Sequence, residues 1–198
     1  MSNVMAGGLS LIGAAATAGL GSLAAASLAA LGWTAGAWLA VTATALTYRR
    51  LVDGPRRTLP AAALALLGVV ASARTVETTL RIAYRHGDIG PTSALATVAS
   101  GVGLGLLAWA IWRAGLVRPA VGMGIAGAAL AGSFTVDPGV PYLLGAGPLG
   151  VVLLLAHLRV RAATHRAPAR RREDAPPATG RAERVPARPR FEVKGSVT

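Results

Sequence analysis

VMAGGLSLIGAAATAGLGSLAAASLAALGWTAGAWLAVTATALT, from Val4 to Thr47, contains no charged residue. As a single helix rising 1.5 Å per residue it would extend about 66 Å, roughly twice the ~30 Å of a hydrocarbon core. Two helices joined by a tight turn suit that length. Gly19-Leu20-Gly21-Ser22 is the expected turn, because glycine releases the backbone there. A run this long without charge is the pattern of a lipid-solvated segment.

Composition agrees. The 198 residues are 53% hydrophobic and 14% charged, against about 25% charged in soluble domains. Tyr48 to Arg57 forms a basic connection, and Thr58 with Pro60 starts a third span reaching about Ile82. Tyr84 to Pro91 reads as a loop. A fourth span covers about Thr92–Trp112 and a fifth about Ala120–Thr135. After the turn Asp137-Pro138-Gly139-Val140-Pro141, a sixth runs about Tyr142–Leu158, interrupted softly at Gly147-Pro148. The expected fold is an all-α membrane bundle of six transmembrane helices, or five if the first segment stays outside the bilayer. Residues 1–158 make the bundle and 159–198 a disordered basic tail, where Pro176, Pro177, Pro186 and Pro189 oppose regular structure. Cleavage at Ala16-Thr17-Ala18 is an alternative, opposed by the absence of a basic stretch in Met1–Gly8.

The net charge of +12 lies at the ends of apolar runs and in the tail, not in a stripe among aromatics, so nucleic acid is not expected. With the N-terminus inside, inner connections carry Arg49, Arg50, Arg56 and Arg57, then Arg113 and Arg118, then the tail. Outer connections carry Arg85, with Arg81 at the boundary, and the acids Asp88 and Asp137. This alternation follows the positive-inside rule and puts both termini in the cytoplasm. A bacterial inner membrane is expected, since arginine dominates and Lys194 is the sole lysine, as in a high-GC genome. The tryptophans, Tyr48 and Tyr142 near span ends read as an aromatic belt. Gly13, Thr17 and Gly21, Gly101 with Gly105, and Gly124, Ala128 and Gly132 offer small faces for packing within the chain.

Without cysteine, thiolate nucleophiles, disulfides, iron–sulfur clusters and Cys-type zinc sites are excluded. No nucleotide or zinc-protease motif occurs, and the serines lack a neighbouring His–Asp arrangement. Gly101-Val102-Gly103-Leu104-Gly105 lies inside an apolar span, not after a strand. His157 reads as an interfacial histidine, because His86 and His165 lie outside the spans and leave haem no second ligand. No catalytic residue, cofactor or metal is expected.

The third span holds Arg74, Glu77 and Arg81. Thr78, Arg81 and Arg85 fall within about 40° of Arg74 on a helix, with Glu77 about 60° to the side. Glu77 reaches Arg74 at i−3 and Arg81 at i+4. Two readings stand: local pairing at a helix end whose arginines reach the head groups, or an outward-facing polar binding site completed by Asp137 or Asp88. Beyond the last span, Arg159, Arg161, Arg166, Arg170, Arg171 and Arg172 are candidate contacts to anionic lipid.

Trp112-Arg113-Ala114-Gly115-Leu116-Val117-Arg118-Pro119, the Gly/Ala-rich span after it and Phe134-Thr135-Val136-Asp137-Pro138-Gly139 resemble uncharacterised multi-span membrane proteins of actinobacteria. The resemblance extends over about Gly87–Arg161. It implies a helical fold of six to eight spans and no established activity, and transfers no catalytic residue. The expected role is a non-enzymatic accessory or scaffold of a membrane complex, with lipids and either a complex partner or further copies of the chain as partners. The alternatives are a small permease or channel subunit using the third span, and an intramembrane enzyme acting on lipid.

Overall fold

The computed structural model describes residues 3–24, 26–52, 58–84 and 90–173. It is an all-α bundle: α1 (Asn3–Leu23), α2 (Ala26–Val52), α3 (Thr58–Tyr84), α4 (Gly90–Arg113), α5 (Pro119–Gly132) and α6 (Gly147–Glu173), the last preceded by a π-helical turn at Tyr142–Ala146. Met1–Arg161 form one compact unit and Ala162–Thr198 another. Asn3–Leu23, Leu28–Val52, Thr58–Tyr84, Ser93–Arg113 and Tyr142–Ala162 are each long and apolar enough to cross a membrane. The tail from Asp174 onward lies outside the described residues.

The first turn falls a few residues later than glycine content suggests. Helix α1 continues through Gly19-Leu20-Gly21-Ser22 and ends at Leu23. Gly21 serves close packing instead of chain reversal. A Cβ on it would stand 2.9 Å from the Ala29 carbonyl oxygen and 3.2 Å from the Trp33 ring. Opposite it, a Cβ on Gly32 would stand 2.7 Å from the Thr17 carbonyl oxygen and 2.8 Å from Gly21 Cα. Gly7 meets Thr47 and Gly36 meets Ala14, so α1 and α2 touch backbone to backbone along their length. Lipid provides little hydrophobic drive between helices, and small residues let dispersion contacts take over.

The remaining pairs run antiparallel in the same way. Gly103 admits the Leu67 side chain between α3 and α4, and Gly101 packs against Ala129 of α5 and against Ser133, which caps that helix. Gly8 and Gly150 cross at the contact of α1 with α6. The shared interior holds Leu11, Leu67, Leu104, Leu107, Ile111, Leu149 and Leu153 among small alanines. Of the three small-residue faces, those of Gly13-Thr17-Gly21 and Gly101-Gly105 are used within the chain, while in the third Gly132 packs against Pro141 and Gly124 meets open space.

Helix α4 ends in a Schellman motif. Leu116 N–H donates to Ile111 O at 3.3 Å and Gly115 N–H to Trp112 O at 2.9 Å. Gly115 adopts φ +73°, the left-handed conformation this closure needs. Helix α5 has 14 residues, about 21 Å, short of a hydrocarbon core. It stops at Gly132, before the expected Thr135, as Ser133, Phe134 and Thr135 N–H groups turn to carbonyls three residues back. The π turn precedes Pro148, which has no N–H for the Leu144 carbonyl and crowds it, so the helix widens there. Tyr142 is 1% exposed, a core residue and not part of an interfacial belt. Its hydroxyl pairs with Ser100 Oγ at 3.1 Å.

Candidate functional site

Arg74 projects from α3 toward α4, two-thirds of the way along the helix from Thr58. Ser93 and Thr97 stand one turn apart on α4 and face it, since residues at i and i+4 share a helix face. Arg74 Nη1 donates to Glu77 Oε2 at 2.9 Å and to Ser93 Oγ at 3.0 Å. Arg74 Nη2 donates to Thr97 Oγ1 at 2.9 Å and to the Ser93 carbonyl at 3.2 Å. Arg74 is 2% exposed. Instead of extending along the helix to its end, the guanidinium staples α3 to α4.

Glu77 bridges the two arginines of its helix. Its second oxygen accepts from Arg81 Nη2 at 2.7 Å, and its side chain is 9% exposed. Both carboxylate oxygens are thus held by guanidinium groups. The group is built as a bridge and not as an accessible base.

Helix α2 closes the other side. Thr34 Oγ1 and Thr78 Oγ1 lie 2.8 Å apart, and Trp38 Nε1 donates to Thr75 Oγ1 at 3.0 Å. The Trp33 ring lies with its centroid 6.0 Å from the Arg74 guanidinium carbon, at the outer limit of a cation–π contact.

Asp137 joins this group only through intermediates. Its Oδ1 accepts from Ser22 Oγ at 2.7 Å and from the Gly139 N–H at 2.8 Å, pinning the α5–α6 connection to the end of α1. Ser22 Oγ also accepts from Trp33 Nε1 at 3.4 Å. A chain therefore runs from Asp137 through Ser22 and Trp33 to Arg74. Asp88, the other acid expected near the cluster, lies outside the described residues. Sequence reasoning missed Trp33, Ser93 and Thr97. Nothing in their residue types separates them from the other polar residues of the spans; only the rotation of α2 and α4 brings them in.

The basic residues gather at the opposite end of the bundle. A cavity of about 600 Å³ there is lined by Asn3, Val4, Leu46, Tyr48, Arg49, Arg50 and Val52. A second, of about 820 Å³, has Arg50, Arg118, His157 and Arg159 among its lining residues. Arg161 lies beyond it on α6. The side chains of Arg166, Arg170, Arg171 and Arg172 lie outside the described residues. Among the described residues no three metal-ligating side chains gather at either end. No family model, curated protein or solved structure matches the chain, so its geometry alone bears on function.

Proposed function

We infer that this chain is a multi-pass membrane protein that acts as a non-enzymatic accessory or scaffold of a larger membrane complex. The observation that carries the reading is the inward pairing of Arg74 and Glu77. Arg74 gives hydrogen bonds to Glu77, Ser93 and Thr97 at 2% exposure, and Glu77 is closed by two arginines. A solute site in a permease needs polar groups turned toward a water-filled path. Here they are spent on joining helices. The outer faces of the bundle are left for lipid and neighbouring proteins.

The inner membrane of a bacterium is the compartment inferred, with the basic end, the start of α1 and the tail in the cytoplasm. Support comes from Arg49, Arg50, Arg118 and Arg159 lying at one end, with Asp137 at the other. Purification of the chain in mild detergent tests the role. A partner protein in fixed stoichiometry is the expected result. A homo-oligomer that conducts solute after reconstitution into liposomes would replace this reading with a permease.

A further inference from the structure

The larger cavity at the basic end is built from parts distant in sequence. Arg50 comes from the end of α2, Arg118 from the α4–α5 connection, and His157 and Arg159 from α6. Its remaining wall is mostly apolar: Val4, Leu116, Val117, Val121, Val152, Leu155 and Val160 contribute. Val121 is 40% and Leu155 48% exposed, so the apolar wall opens to the surroundings of the bundle. Among the described residues no carboxylate pairs with Arg50, Arg118 or Arg159. Arg118 is also the N-cap of α5, whose first turn holds no acidic residue, so the positive end of that helix dipole adds to the same corner.

We propose that this groove binds one anionic phospholipid, its phosphate held by Arg50, Arg118 and Arg159 and an acyl chain laid along Val121, Val152 and Leu155. The complementarity is twofold. Three guanidinium groups suit a phosphate, which accepts paired N–H donors. The apolar wall suits a hydrocarbon chain and is of no use to a free anion. Basic pockets between helices on the cytoplasmic side are where anionic head groups lodge. The site rests on the membrane reading and not on the accessory role, so failure to find a partner protein leaves it standing.

The test titrates the purified full-length chain in mild detergent with phosphatidylglycerol, phosphatidylcholine or inorganic phosphate, counting bound molecules by native mass spectrometry. One phosphatidylglycerol per chain, held more tightly than phosphatidylcholine, is expected. Arg118→Gln and Arg159→Gln should each lower that affinity about five-fold, the worth of one arginine beside anionic lipid. Arg49→Gln removes the same charge from the same end but does not line the groove, and should leave it unchanged. Val121→Trp keeps every arginine and fills the apolar wall, and should also weaken binding. Equal losses for Arg49→Gln and Arg118→Gln would reduce the effect to diffuse surface attraction and overturn the site. So would inorganic phosphate competing as well as the lipid, or Val121→Trp binding normally. Each variant is compared at matched, monodisperse elution, so unfolding is read separately.

Discussion

Glu77 is the residue on which the polar cluster turns, because a single carboxylate balances two guanidinium groups. Removing its charge leaves Arg74 buried with neutral partners alone. A buried ion whose counter-charge is deleted costs about 3–5 kcal/mol, since desolvation is no longer offset. Glu77→Gln should therefore sharply lower the thermal unfolding midpoint of the detergent-solubilised protein. Arg81→Gln should lower the midpoint less, because Glu77 keeps Arg74 as its counter-charge and the Arg81 side chain, 19% exposed against 3% for Arg74, is the less buried of the two arginines. Equal midpoints for Glu77→Gln and the parent chain would mean that Arg74 is solvated by water and not by α4. Charge and helical spacing made Arg74, Glu77 and Arg81 visible in the sequence. Ser93 and Thr97 stayed invisible, because hydroxyl residues recur along these spans and mostly bond their own helix, as Thr44 and Ser100 do. Their role depends on which face α4 turns to α3, and that is set by packing across the whole bundle.

Between helices, the deciding quantity is how closely two backbones can approach. Gly32 and Gly68 make a direct comparison, both being interior to long helices. A Cβ on Gly32 would press on the Thr17 carbonyl and on Gly21 Cα, which are backbone atoms that cannot swing away. A Cβ on Gly68 would meet nothing within 4 Å. Gly32→Ala should thus destabilise by about 1–3 kcal/mol, the cost of overpacking. Gly68→Ala should stabilise by about 0.5–1 kcal/mol through helix propensity. Thermal unfolding of both variants in one detergent checks the pair, and matching shifts would show that α1 and α2 do not meet as closely as described. The spans themselves were legible as long uncharged runs. The first turn was displaced because a glycine signals a turn and a close contact alike, and residue type does not distinguish the two. Helix α5 was read too long because Ser133, Phe134 and Thr135 continue the uncharged run as far as Asp137, whereas the backbone has already tightened into turns.

At the scale of the molecule, antiparallel packing sorts charge into two unlike ends. The end holding Asn3, Arg50, Arg118 and Arg159 is basic, and the end holding Ser22 and Asp137 carries the turn acid. Sorting follows from connectivity: each reversal returns the chain to the other end, and the paired arginines Arg49–Arg50, Arg56–Arg57 and Arg113 with Arg118 lie in every second connection. Because translocating arginine across a bilayer is disfavoured, the basic end should remain where the chain is synthesised. The absence of cysteine makes this directly measurable, since any label reports only an introduced thiol. Ala114 sits in the α4–α5 connection at the basic end, Thr135 in the α5–α6 connection at the other, and both are exposed. Thr135→Cys should react with a membrane-impermeant maleimide in intact cells. Ala114→Cys should react only after the membrane is opened. This outcome also gives α5 a structural meaning. Its two ends then face opposite aqueous phases although the helix is only about 21 Å long, so the bilayer must thin locally or the flanking turns must enter it. Labelling of both positions from the same side would instead make α5 a helix that enters and leaves by one face, and would leave five crossings.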